Sequence, residues 1–188
     1  SGSRAWGFAS PDSDYDVRFI YVRPKDAYLR LQKHRDVIEL PINDALDING
    51  WDLTKTLRLL HKSNPTLFEL SASHIVYLET DFAARFKSVM GRYFSSKRGL
   101  YHYIHMAAGN YREYIKGDMI KAKKYFYVLR PVLACRWILD KGSPPPMLFS
   151  ELMESGLAPE LKPEVERLLE LKVNSPEIRM IPQIRTLN

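Results

Sequence analysis

The chain has 188 residues, a net charge of +6, 45% hydrophobic residues and 27% charged residues. This composition is typical of a globular protein with one domain or two small ones, and no apolar run approaches the ~20 residues that a transmembrane helix needs. The single cysteine, Cys135, excludes an internal disulfide bond and makes the cytoplasm the expected compartment.

The first segment with a chemical signature is GSRAWGFASPDSDYD at residues 2–16. Gly2 and Ser3 can present backbone N–H groups and a hydroxyl to a phosphate without a bulky side chain in the way. Asp14 and Asp16 precede the apolar run VRFIYV, which predicts a strand. Carboxylates at i and i+2 of an extended chain point to the same face and suit a hard divalent cation. A metal pair beside a phosphate cradle indicates nucleotidyl transfer.

A plain turn is the alternative interpretation of this segment. The sequence SPDSD places Pro, Ser and Asp where turns prefer them, and Asp12 and Ser13 are interpreted as turn residues only. The order of small pair, polar loop, acidic pair and apolar strand favours a functional role for Asp14 and Asp16.

The remainder of residues 1–79 predicts an α/β pattern. Strands are expected near residues 15–22, 36–40, 45–49 and 74–78, and the turn PIND at 41–44 predicts a hairpin between the second and third. Asp47 alternates with apolar neighbours in the third segment, so it is a third candidate carboxylate. Asp52 competes for that role, but it opens a segment with leucines at helical spacing, which favours helix capping.

From about residue 81 the pattern is helical. A helix is expected to start near Thr80-Asp81, followed by long amphipathic helices at 98–116 and 119–141 and one or two short helices at 148–171. Pro131 should kink the second long helix, and Gly142 should end it. The chain is therefore expected to divide into an α/β lobe and a helical lobe, with ligands bound in the cleft between them.

Basic residues concentrate in the helical part. Residues 92–141 contain 11 Lys or Arg and 3 Asp or Glu, whereas residues 151–170 contain 2 basic and 6 acidic residues. Lys123, Tyr127 and Arg130 lie at i, i+4 and i+7 and share one helix face, which suits phosphates and stacking on a base. The basic block favours contact with nucleotide or nucleic acid, and a solvated helix face is the alternative.

The segment GSRAWGFASPDSDYD resembles the nucleotide-binding signature of the polymerase-β-like nucleotidyltransferase superfamily. The stretches RDVIELP, LDINGWDLTKTLRLLHKSNP and KKYFYVLRPVLACRWIL, the last followed by GSPPP, resemble the bacterial and phage RNA-repair-pathway subgroup. This resemblance implies an α+β fold, with a mixed-sheet nucleotidyltransferase lobe at 1–79 and a C-terminal helical lobe at 80–188. In the superfamily a strand leads into the Gly-Ser pair, so we expect a segment to precede residue 1.

By this resemblance Asp14 and Asp16 hold the metals, Gly2 and Ser3 bind the triphosphate, and Asp47 completes the carboxylate triad. The implied cofactor is Mg²⁺, as two ions, with Mn²⁺ as an alternative. The implied substrate is an NTP.

The expected activity is metal-dependent transfer of an NMP from the NTP to a hydroxyl, with release of pyrophosphate. The expected acceptor is an RNA end; a protein side chain or a small molecule is the alternative. A non-catalytic nucleotide- or RNA-binding module is the alternative class, and the presence of all three carboxylates favours an enzyme. Arg4, Lys123, Tyr127 and Arg130 are the remaining expected nucleotide ligands, and for Arg4 a salt bridge to a nearby carboxylate is the competing role.

Overall fold

An α+β arrangement is seen in the computed structural model, which describes residues 1–42 and 45–187. A three-stranded mixed sheet with helices forms the N-terminal part, and a mainly helical region follows. The fold class expected from the sequence is therefore confirmed. In the described residues, no helix is long and apolar enough to cross a membrane.

The N-terminal part confirms three of the four expected strands. Its elements are α1 (Gly2–Trp6), β1 (Tyr15–Tyr21), α2 (Lys25–Tyr28), β2 (Val37–Glu39), β3 (Leu46–Asp52), α3 (Leu53–His61) and α4 (Pro65–Ser71). Residues 74–78, expected as a strand, form none, because the Ser73 hydroxyl bonds both backbone groups of Ile75 and gives them a local alternative to strand pairing. The central turn residues Asn43 and Asp44 lie outside the described residues.

The C-terminal part is helical apart from two short paired strands. Its elements are α5 (Asp81–Met90), α6 (Ser96–Tyr114), β4 (Met119–Lys121), α7 (Ala122–Lys141), α8 (Phe149–Gly156), α9 (Lys162–Val173) and β5 (Met180–Pro182). The two long helices are confirmed, but residues 119–121 were wrongly expected to be helical. These residues pair with β5. A local sequence pattern does not reveal this pairing, because β5 lies about 60 residues further along the chain.

Three residues were expected to end, kink or cap a helix in α7 and α3. Gly142 ends α7 in the left-handed conformation, with φ of 63°. Pro131 lies within α7, and a kink there stays a prediction. Asp52 caps α3, since its side chain accepts a 2.8 Å hydrogen bond from the backbone N–H of Thr54. The capping interpretation of Asp52 is confirmed.

The sheet determines which side chains meet at the candidate site. Its strand order is β1-β3-β2, with β1 parallel to β3 and β2 antiparallel to β3. In this register Asp16 of β1 lies opposite Asp47 of β3. Because side chains alternate along each strand, the paired carboxylates emerge on the same face.

The main hydrophobic core joins the two ends of the chain. The ring of Phe8, between α1 and β1, lies 4.8 Å from that of Phe126 in α7 and 5.5 Å from that of Phe149 in α8. The core therefore crosses the boundary expected at residue 79, and the division into lobes at 1–79 and 80–188 stays a prediction. This packing holds the segment with the carboxylates against the helices that carry the candidate cations.

Candidate active site

Two carboxylates converge on one arginine at the centre of the sheet. The Nη2 atom of Arg18 lies 3.1 Å from an oxygen of Asp16 and 2.6 Å from an oxygen of Asp47. Arg18 follows Asp16 by two residues in β1, so alternation puts its side chain on the same face. All three side chains are largely buried, at 19–27% exposure. The two carboxylates thus surround a position that already holds positive charge.

Burial and the neighbouring carboxylates disfavour the ionised form of the Asp16 side chain. Burial raises the pKa of the Asp16 carboxyl above its ordinary value, and the negative charge of Asp14 raises it further, whereas Arg18 lowers it. Asp14 is exposed just before β1. Negative charge is therefore concentrated here beyond what one guanidinium balances.

The donor set fits a hard divalent cation, which binds carboxylate oxygens. Asp16 and Asp47 converge on a single cationic atom, whereas Asp14 lies close enough to influence Asp16 but makes no hydrogen bond to Arg18. In the conformation described for residues 1–42 and 45–187, no three acidic, histidine or cysteine side chains are close enough to hold a metal ion together. The structure thus assembles two of the three expected carboxylates and places the third nearby.

The Gly-Ser pair packs directly against the carboxylates. Gly2 has φ of +70°, and a Cβ built on it would lie 1.9 Å from a carboxylate oxygen of Asp16. Only glycine fits this position, because any side chain would collide with Asp16 and the left-handed backbone disfavours other residues. The hydroxyl of Ser3 donates a 2.9 Å hydrogen bond to that of Ser13, which ties α1 to the loop before β1.

A cavity of about 410 Å³ joins the Gly-Ser pair, the carboxylates and α7. The residues predicted from the sequence that line it are Gly2, Ser3, Asp14, Asp16, Lys123 and Tyr127. Asp47 is not among the lining residues, but it forms an ion pair with Arg18, which is. Tyr127 stands edge-on to Trp6, with ring centroids 6.2 Å apart, and burial raises the pKa of its hydroxyl. The N-terminal segment and α7, both predicted to contribute to the site, thus line the same cavity.

Arg4 is placed differently from the expected triphosphate clamp. Its guanidinium donates to the backbone carbonyl oxygens of Ser13 at 2.6 Å and Asp14 at 3.1 Å, and it lies 3.8 Å from the ring centre of Tyr15. The side chain lines a neighbouring cavity of about 700 Å³. Arg4 therefore fixes the loop that carries Asp14.

Arg130 is also occupied by protein groups. Its Nη1 atom lies 2.9 Å from a carboxylate oxygen of Glu69 in α4, and the residue is only 4% exposed. The same carboxylate group accepts a 2.9 Å hydrogen bond from the indole of Trp6. Lys123 and Tyr127 share the cavity as their spacing predicts, whereas Arg130, one turn further along α7, is buried behind it.

Sequence reasoning missed four charged residues of the cavity: Arg18, Glu69, Lys172 and Glu177. Strand alternation with Asp16 could have indicated Arg18. Glu69, Lys172 and Glu177 gave no such signal, because Glu69 lies in α4 and the other two lie about 170 residues from the Gly-Ser pair. Ser13 was also more than a turn residue: its backbone N–H bonds the Ser10 carbonyl oxygen, as a turn requires, and its hydroxyl donates to Glu177 at 2.8 Å.

The chain is similar to known proteins over its whole length. A family model described as the RNA repair pathway DNA polymerase beta family matches residues 1–188. The chain belongs to this family. A relative from Bacillus subtilis (strain 168), named uncharacterized protein YcgL, is 52% identical over 190 residues, which cover all of this chain and 73% of the relative. No solved structure matches the chain significantly.

Family membership confirms the resemblance recognised in the sequence and gives the chain a coarse function. Membership of the RNA repair pathway DNA polymerase beta family suggests a nucleotidyltransferase and implies nucleotide substrates. Enzymes of the polymerase beta family generally use divalent metals, which agrees with the carboxylate donors found here.

The contact between Gly2 and Asp16 generates a first prediction. Gly2→Ala should lower the free energy of unfolding by at least about 1–2 kcal/mol, the usual cost of a left-handed backbone for a residue with a Cβ, and should displace the Asp16 carboxylate. Gly109→Ala is the matched control, because a Cβ at Gly109 in α6 meets nothing within 4 Å. Chemical denaturation measures both; equal stability of Gly2→Ala and the parent would contradict the described packing.

The ionisation of Glu177 generates a second prediction. Burial raises the pKa of its carboxyl, but hydrogen bonds from Lys123 and Ser13 and the charge of Lys172 outweigh burial and lower the pKa to about 2 from 4.5. The stability that Glu177 contributes should therefore be present above pH 4.5 and be lost as the pH falls towards 2.

Denaturation of the parent and of Glu177→Gln at about pH 6 and about pH 3 measures this effect. The stability difference between the two proteins should shrink at the lower pH. Glu170→Gln, at an exposed position in α9, removes the same charge and should show no such dependence. A difference that is the same at both pH values would contradict the ion pairs of Glu177.

Proposed function

We propose that this chain transfers an NMP from an NTP to a hydroxyl at an RNA end and releases pyrophosphate. The observation that carries the proposal is the convergence of Asp16 and Asp47 on one cationic atom beside a cavity. The Gly-Ser pair and Lys123 line the same cavity, so groups suited to phosphate lie next to groups suited to divalent cations. Membership of the polymerase beta family supports this reaction class.

The carboxylates are proposed to act as ligands for two Mg²⁺ ions, with Mn²⁺ as an alternative. Divalent cations bound there would neutralise triphosphate charge and lower the pKa of the acceptor hydroxyl. Asp14 and Asp16 are the proposed ligands of both ions, and Asp47 is an additional proposed ligand of the ion on the acceptor side. Asp47 would also accept the proton of the attacking hydroxyl.

In the proposed reaction the acceptor oxygen forms a bond to the α-phosphorus while the bond to the bridging oxygen of the β-phosphate breaks. Pyrophosphate carries away the electron pair of the broken bond. The contribution of the chain is mainly positioning and charge neutralisation.

The nucleotide is proposed to lie along the cavity between α1 and α7. Gly2 and Ser3 would contact the phosphates, Lys123 would supply positive charge, and Tyr127 would offer a ring to the base. Arg4 and Arg130 were expected to join them, but they bind other protein groups. We therefore propose that these two arginines support the cavity walls.

An RNA end is the proposed acceptor for two reasons. The family description names an RNA repair pathway. In addition, residues 112–124 carry five cations, Arg112, Lys116, Lys121, Lys123 and Lys124, against the two carboxylates of Glu113 and Asp118, and Lys123 lines the cavity. A segment with this excess of positive charge attracts a phosphate backbone.

Transfer of labelled nucleotide tests the proposal. The assay combines an NTP labelled at the α-phosphate, Mg²⁺ and an RNA oligonucleotide with a free 3′-hydroxyl, and it measures labelled RNA and pyrophosphate together. Asp16→Asn and Asp47→Asn should each slow transfer about 100-fold or more, because a neutral amide is a weak ligand for a hard cation. Asp140→Asn, at an exposed position in α7, should retain the parent rate.

Two results would contradict the proposal. Parent-like transfer by Asp16→Asn or Asp47→Asn would remove these carboxylates from the reaction. Label on a protein or a small molecule from a cell extract, with none on any RNA end, would keep the reaction class but overturn the acceptor.

A further inference from the structure

Three donors converge on the carboxylate of Glu177 inside the cavity. The Nζ atom of Lys123 lies 2.5 Å from one oxygen, and the Nζ atom of Lys172 lies 3.4 Å from the other. The hydroxyl of Ser13 donates a 2.8 Å hydrogen bond to that same second oxygen. A carboxylate held by two ammonium groups and a hydroxyl occupies a position that would also suit a phosphate group.

The fold brings these residues together from distant parts of the chain. The pairing of β4 with β5 places the residues before β5 beside the start of α7, and the backbone N–H of Ala122 bonds the carbonyl oxygen of Arg179 at 2.9 Å. Glu177 therefore lies next to Lys123. The carboxylate of Asp12 accepts a hydrogen bond from the backbone N–H of Glu177, which holds this segment to the loop before β1.

The burial of Lys172 means that the subsite requires an anion. The Lys172 side chain is only 2% exposed, and besides Glu177 it donates to the Ser10 hydroxyl. An ammonium group removed from water is unfavourable unless a negative charge accompanies it. In the resting chain Glu177 supplies that charge.

We propose that Lys123 and Lys172 form the subsite for the polyphosphate tail of the nucleotide, and that Glu177 fills this subsite until the nucleotide displaces it. This inference rests on the proposed function, since it names the phosphate ligands of the same cavity. A polyphosphate and Glu177 would compete for the same two ammonium groups because both are anionic. Residues 174–179 form neither helix nor strand and are mostly exposed, so the Glu177 side chain can leave without unfolding an element.

Binding of inorganic tripolyphosphate without divalent ions tests this subsite alone. Isothermal titration calorimetry with the full chain in the presence of EDTA measures the affinity. Glu177→Gln should bind tripolyphosphate about tenfold tighter than the parent, because one competing charged interaction is removed. Lys172→Gln should bind about tenfold more weakly than the parent.

The control variants remove the same charges elsewhere on the chain. Glu170→Gln and Lys25→Gln both lie at exposed positions and should bind tripolyphosphate as the parent does. The Lys172→Gln measurement is made in the parent background, so it tests the subsite even if Glu177→Gln folds poorly. Circular dichroism before each titration verifies that a variant is folded.

The possible results separate this inference from the proposed function. Unchanged or weaker binding by Glu177→Gln would show that Glu177 only ties the C-terminal segment in place and would overturn the displacement. Parent-like binding by Lys172→Gln would overturn the subsite. Tripolyphosphate binding that follows the expected order in a chain without nucleotidyl transfer would support the subsite and contradict only the proposed function.

Discussion

The parallel pairing of β1 with β3 is the constraint on which the candidate site depends. It sets Asp16 opposite Asp47, and the guanidinium of Arg18 then bridges the two carboxylates. A shift of one residue in this register would send one carboxylate to the opposite face of the sheet. The same register also restricts residue 2 to glycine, because a side chain there would collide with the Asp16 carboxylate.

Most charged side chains of the cavity beside the sheet are paired within the protein. Arg18 bridges Asp16 and Asp47, Lys123 and Lys172 contact Glu177, and Arg130 contacts Glu69. A triphosphate with divalent cations carries both signs of charge, so it can replace some of these internal pairs without leaving a buried charge alone. Under the proposed function, ligand binding is therefore an exchange of ion pairs within a cavity that is already formed.

Local patterns in the sequence predicted much of this arrangement. The Gly-Ser pair, the alternating aspartates and the following strand are close in sequence, so their spacing alone indicated a shared face. The role of Asp52 as a helix cap followed equally from its neighbours. The contacts of Glu177 and Lys172 depend on the distant pairing of β4 with β5, and no local period reveals them. The ion pair of Arg130 with Glu69 likewise depends on how α4 packs against α7.

The affinity of the metal-free chain for Mn²⁺ is the most direct test of the central claim that Asp16 and Asp47 form a cation site held by Arg18. Electron paramagnetic resonance can measure it without nucleotide. Arg18→Met should bind Mn²⁺ about tenfold tighter than the parent, because a competing charged partner is removed, and Asp47→Asn should bind it more weakly. Arg112→Met, which removes an exposed charge, should leave the affinity unchanged. Equal Mn²⁺ affinity in the parent, Arg18→Met and Asp47→Asn would contradict the claim.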